Sequence, residues 1–272
     1  AYHFEKADLI PQAIEYLHKA GLRALQRSAS IEVVSHLNHA LDLLLGLPTV
    51  PRRMEKELSL RFVLAPALSA IKGWSAPEIA INAENCVALS RELGDLGRLI
   101  HSLYYLWTNH FMRGDRRPTI DLADEIAGLA ETPAQVYMGY ATRAYTAYYG
   151  GRFTEALALT ERATALFAPE ILPELAAFGD EVSLMPHVFQ SRLLWNLGKP
   201  DQAVRKRDAV HAMAETLLSP FARGIALIAD VVLSRDLRDP ERVERASERL
   251  KELAHEQGVA VLHPAAQCGK GW

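Results

Sequence analysis

The chain has 272 residues, 49% of them hydrophobic and 23% charged, with a formal charge of −3. That composition is too apolar for a disordered chain. It gives no electrostatic ground for binding nucleic acid or an anionic membrane. No apolar run reaches the roughly 18 residues that a membrane helix needs. The two cysteines, Cys86 and Cys268, lack metal-ligand spacing and read as reduced thiols, so a cytoplasmic protein is expected.

The periodicity is helical almost throughout, with no alternating strand runs. The first pattern, "LIPQAIEYLHKA", carries Ala13 and Ala20, and "SIEVVSHLNHAL" carries Val33 and Ala40. A spacing of seven puts both residues on one side of a helix, two turns apart. Leu37, Leu41, Leu44 and Leu45 continue that pattern up to Gly46. Pro51 starts the next helix and Pro66 is expected to interrupt and kink it. After Gly73 and Pro77 come Ile79 and Cys86; after Gly94 come Leu103, Leu106, His110 and Phe111. "RGDRRPTIDLADEIA" follows Gly114 and carries Ile120 and Ala127.

Pro133 opens a helix with Tyr140 and Ala144 that ends at Gly150-Gly151. Phe153, Ala156 and Ala163 then mark a second helix, closed by Pro169. The stretch 168–186 fits no helical repeat and is expected to be irregular. Beyond it, "LGKPDQAVRKRDAV" carries Ala203 and Val210, and "LRDPERVERASERL" carries Val243 and Leu250. Pro220 and Pro240 sit at helix starts, and Gly198 and Gly258 fall between patterns. The opening "AYHFEKADL" has no initiator Met, and the final "VAVLHPAAQCGKGW" starts a helix without a partner. A fragment of a larger protein is expected, with a homodimer formed through an exposed terminal face.

Chemistry-bearing patterns are weak. "CGKGW" lacks the spacing of a phosphate loop. His36 and His39 lie three apart on a helix, but no third metal ligand is nearby. Asp121, Asp124 and Glu125 fit a solvated helix face better than an acid–base pair. No catalytic residue, cofactor or metal is expected, and the chain is not read as an enzyme.

Repeated units of helix, tight turn and helix resemble tetratricopeptide (TPR) repeats, most closely at residues 151–169. The resemblance implies an all-α, right-handed α-α superhelix of about seven degenerate helix pairs, a single domain over 1–272. "EYLHKAGLRALQRSASIEVVSHLNHALDLLLGLP", "ALSAIKGWSAPEI" and "LLWNLGKPDQAV" resemble the C-terminal TPR region of bacterial multidomain adenylate or guanylate cyclase–AAA ATPase proteins. That likeness implies a protein-interaction or regulatory scaffold of a signalling protein. The alternative is the ligand-sensing helical region of a large ATP-dependent transcription regulator.

In TPR arrays the first helices of the repeats line a concave surface that binds partners. Carried onto this chain, that geometry nominates Tyr105, Asn109 and Arg113 in "HSLYYLWTNHFMRG". It also nominates Tyr145, Tyr148 and Tyr149 in "YMGYATRAYTAYYGG", and Arg192, Trp195 and Asn196 in "LMPHVFQSRLLWNLG". The arginines and aromatics would suit an extended protein or peptide segment bearing carboxylates, including another domain of the same chain. Inter-repeat packing is the competing use of the same residues.

Overall fold

Proline and glycine set the helix boundaries. In the computed structural model, which describes residues 2–27, 29–179, 182–217, 219–256 and 262–271, Pro51, Pro77, Pro133, Pro200, Pro220 and Pro240 are each the first residue of a helix. The helix's first N–H groups have no internal partner, so proline loses nothing there. The first helices are α1 (Tyr2–Lys6), α2 (Ile10–Gln26), α3 (Ser30–Leu45), α4 (Pro51–Lys72), α5 (Pro77–Leu93), α6 (Leu96–Arg113) and α7 (Arg116–Leu129). They are followed by α8 (Pro133–Tyr149), α9 (Phe153–Ala165), the short α10 (Leu172–Ala176), α11 (Met185–Asn196), α12 (Pro200–Thr216), α13 (Pro220–Asp236), α14 (Pro240–Glu256) and α15 (His263–Gly271). No strand occurs among the described residues, and no helix among them is long and apolar enough to cross a membrane.

The chain divides into two compact units, residues 1–122 and 123–272. The core of the first joins α2, α3, α4 and α5 through Ile14, Leu37, Leu60, Leu64 and Ile79. In the second, Leu184, Val210, Ala222 and Ala226 tie α11, α12 and α13. Leu250, Leu253 and Leu262 seat α15 against α14.

The seven-residue spacing marks the packed side of most second helices. Both members of Val33/Ala40, Ile79/Cys86, Ala156/Ala163, Ala203/Val210 and Val243/Leu250 are buried. Two expected pairs shift register. In α2, Ile14 and Gly21 are buried where Ala13 and Ala20 were expected to be the pair, and Ala20 is only half-buried. A Cβ on Gly21 would stand 2.7 Å from Leu37 Cδ2, so glycine there is what lets α3 approach. In α7 the buried pair is Thr119 and Ile126, one residue before Ile120 and Ala127. The helix carrying Ala13 is the leading partner of α3, so two expected units merge into one. In chain order the helix–turn–helix pairs are α2/α3, α4/α5, α6/α7, α8/α9, α11/α12 and α13/α14.

Four of these pairs share one turn. The N–H of Gly114, Gly151, Gly198 or Arg238 reaches the carbonyl three residues back, at 2.9–3.2 Å. The next N–H reaches the carbonyl five residues back, at 2.8–2.9 Å. This double bond pattern closes the helix C-terminus around one left-handed residue. Glycine holds three of these positions; Arg238 holds the fourth with φ 57°. Elsewhere Thr132 and Gln135 form a reciprocal capping box that starts α8.

Two expectations about irregularity resolve differently. Helix α4 runs on through Pro66 without a break. Within the stretch 168–186 the described residues form a 3₁₀ turn (Pro169–Ile171), α10 and a turn at 182–184 before α11. Leu175, Phe178, Val182 and Leu184 are buried within it. The buried Tyr137 hydroxyl of α8 donates to the Ser183 carbonyl at 2.7 Å and anchors this stretch. The expected boundary at Gly258 lies outside the described residues.

A buried ionic cluster binds α12, α13 and α14. Arg242 Nε lies 2.7 Å from Asp230 Oδ1, Arg207 Nε 3.5 Å from it, and Ser234 Oγ donates to it at 3.1 Å. His211 Nε2 approaches Asp230 Oδ2 at 3.4 Å. Burial pushes the Asp230 carboxyl up, but hydrogen bonds from His211 and Arg242 and the two arginine charges outweigh it and hold it at about 2.

Candidate interaction site

The α6 candidates lie in the first unit, and the fold uses them. Asn109 is fully buried, and its Nδ2 donates to the carbonyls of Trp74 at 2.7 Å and Ala76 at 2.9 Å. Those two bonds hold the loop between α4 and α5 against α6. Tyr105 stacks on Trp74, with centroids 5.7 Å apart and planes 27° apart. His101, one turn earlier, packs on Tyr105 at 4.8 Å, and burial pushes its pKa down to about 4. Arg113 is exposed, but its Nε pairs with Asp115 at 2.9 Å. Asp115 is held below the usual carboxylate range, first by its hydrogen bond with His110 and then by Arg113. Asn109 is therefore corrected from a partner-binding residue to a loop-holding one: its donors are occupied and water cannot reach it.

The α8 and α11 candidates lie in the second unit, and there the structure brings the two sets together. Phe189 is their centre. Its ring is 4.3 Å from Tyr145, 5.1 Å from Tyr148 and 6.2 Å from Tyr149. Tyr145 is only 7% exposed, so it is corrected to a packing residue beneath the surface. Tyr148 is half-buried and also meets Phe153 at 5.5 Å, which fixes the plane of its ring. Tyr149 is 63% exposed. Trp195 is half-buried and Asn196 exposed on the same helix as Arg192.

Arg192 lies over this aromatic floor. Its guanidinium carbon stands 5.1 Å from the Tyr148 ring centre. Asn196 Nδ2 reaches the Tyr148 hydroxyl at 3.4 Å. Among the described residues no carboxylate pairs with Arg192, and its Nε is buried without a hydrogen-bond partner. A cation stacked on a tyrosine face gains about 0.5–2 kcal/mol. The stacking leaves its outer N–H groups free to take two carboxylate oxygens at once. The arrangement is an aromatic shelf of edge-to-face rings with one positioned cation and an amide beside it.

Phe189 and Trp74 escaped the sequence reading. Phe189 sits three residues before Arg192, a helical neighbour, and that spacing was the available signal. Trp74 lies in a loop, where periodicity says nothing.

No protein-family model matches the chain, and no curated protein matches it. By structure the chain is similar to a Rap protein in a crystal structure complexed with competence and sporulation factor. The TM-score is 0.57, over 95% of this chain and 72% of that one. The fold is a TPR-like helical repeat. Sequence identity is 13%, so the likeness is one of fold. Helix α8 packs on α9 and α11 on α12, so α8 and α11 lead their pairs, and the shelf spans those two.

Proposed function

We propose that this chain is a non-catalytic TPR-type interaction region that holds a protein or peptide segment on the α8–α11 shelf. The observation that carries the reading is Arg192, a cation stacked on Tyr148 with no acidic partner among the described residues. Packing alone explains Tyr145 and Phe189, which are buried. It does not explain an unpaired arginine above them, whose desolvation is compensated by a ligand carboxylate. The fold-level likeness to a Rap protein complexed with competence and sporulation factor supports a binding role for such a scaffold. The resemblance of this chain's helix-repeat phrases to the helical regions of cyclase–ATPase proteins supports reading it as the regulatory part of a larger signalling protein.

An array of random peptides graded in Asp and Glu content tests the reading. The wild-type chain retains acidic peptides, and Arg192→Gln lowers their retention about tenfold, the worth of one charge-assisted bidentate contact. Far-ultraviolet dichroism stays unchanged. An Arg192→Gln profile identical to wild type overturns it.

A further inference from the structure

A second site stands in the first unit, where a cleft of about 660 Å³ opens between α2, α4 and the start of α6. That volume falls within the range of small-molecule sites. One wall is apolar, made by Ile14 of α2, Leu44 at the end of α3, and Leu47, Pro48 and Val50 of the α3–α4 loop. The other wall is charged. Arg52, Arg53, Lys56 and Arg98 line it against two carboxylates, Glu15 and Glu55, so cations exceed anions by two (4 − 2).

The charges are not equally available. Lys56 is held by Glu15 and by His18 Nδ1 at 3.0 Å. Arg53 donates to the Leu44 carbonyl at 3.0 Å and to Thr49 at 2.8 Å, and so fixes the loop that forms the apolar wall. Arg98 pairs with Asp95 through Nε at 3.0 Å, but its Nη1 is buried without a hydrogen-bond partner among the described residues. Arg52 has no ion pair among the described residues. At the mouth, the residue that caps the start of α4 is Val50, which has no side-chain oxygen to hold the first turn. The positive end of that 22-residue helix adds to the field of Arg52 and Arg98.

We infer that this cleft binds a small amphipathic anion, an apolar body with a single carboxylate head. The body lies along Leu44, Leu47 and Val50, and the head takes Arg98 Nη1 and Arg52. The two walls have different chemistry, and a ligand must satisfy both. The site is separate from the Arg192 shelf: its residues all belong to the first unit, so either can fail alone.

Decanoate and decanol are the probes, compared by calorimetric titration against the whole chain. They share an apolar body and differ in the head. Decanoate binds, decanol binds about tenfold more weakly, and Arg52→Gln/Arg98→Gln brings decanoate down to the decanol level. Ser59→Phe, which fills the cleft from α4, abolishes both while Arg192→Gln leaves both unchanged. Thermal unfolding of each variant verifies that the fold is retained. Equal binding of the two probes, or decanoate binding untouched by the arginine substitutions or by Ser59→Phe, overturns the inference. So does an absence of decanoate binding at concentrations up to about 1 mM.

Discussion

Arg238→Gly should stabilise the protein. Arg238 occupies, in the α13–α14 turn, the position that Gly114, Gly151 and Gly198 occupy in three others, with the same two backbone hydrogen bonds. Its φ of 57° places it in the left-handed region. That conformation costs an L-residue about 1–2 kcal/mol, because Cβ crowds the following carbonyl. Glycine removes this cost but adds about 0.4–1 kcal/mol through its greater freedom in the unfolded chain. The net gain is about 0.5–1 kcal/mol. The Arg238 side chain is exposed and makes no ion pair among the described residues, so nothing offsets the gain. Urea unfolding followed by far-ultraviolet dichroism reads it directly, and thermal unfolding should rise by about 1–3 °C. Arg238→Ala removes the charge but keeps the Cβ, and it should shift stability by less than about 0.5 kcal/mol. A lowered midpoint for Arg238→Gly, or an equal rise for Arg238→Ala, would refute the reasoning.

Further outcomes follow from the buried groups. Asn109→Ala leaves the carbonyls of Trp74 and Ala76 without their donor and should cost about 2–4 kcal/mol in chemical unfolding, whereas Arg192→Gln should leave stability within about 0.5 kcal/mol. Asp230→Asn should cost about 1–3 kcal/mol at neutral pH, because it removes the anion shared by the buried Arg207 and the partly exposed Arg242 and leaves them only Asp208, at 2.9 and 3.4 Å. The folded pKa of Asp230 lies below the ordinary carboxylate value, so its contribution is complete above roughly pH 5. It is lost as pH falls through about 2, so unfolding curves of wild type and Asp230→Asn should converge across that window. Gly139→Ala brings a Cβ to 2.8 Å from Ala127 Cα, which must force α7 and α8 apart. A loss of about 1–3 kcal/mol in the same assay is expected, and no loss would show that the helices yield freely.

Much of the fold was legible because its punctuation is local. Proline at a helix start and glycine in a left-handed turn act on their own backbone, so Pro77, Pro133, Gly114 and Gly198 announce their roles without knowledge of any distant residue. The buried side of α9, α12 and α14 was legible for the same reason: Ala156/Ala163, Ala203/Val210 and Val243/Leu250 are apolar at the packed positions. In α7 the packed position is Thr119, which hydropathy assigns to the surface. Its hydroxyl donates to the Asp115 carbonyl one turn back at 2.8 Å, so it enters the core with its polar atom satisfied. Asn109 misled the reading through distance. Its partners lie 33 and 35 residues away in a loop, and no helical period connects them. The shelf was half legible. Arg192, Asn196, Tyr148 and Tyr149 share helical faces that spacing reveals, but only the packing of α11 on α8 shows that Phe189 supports them and that Tyr145 lies beneath.

Photo-crosslinking bears most directly on the α8–α11 shelf as the binding surface. A photoreactive residue placed at Tyr149, exposed beside Arg192's aromatic floor, should capture the acidic peptides that the wild-type chain retains. The same residue placed at Ile81, equally exposed on α5 in the first unit, should capture none. Capture at Ile81 as strong as at Tyr149, or none at Tyr149 while the peptides still bind, would contradict the shelf as the binding surface.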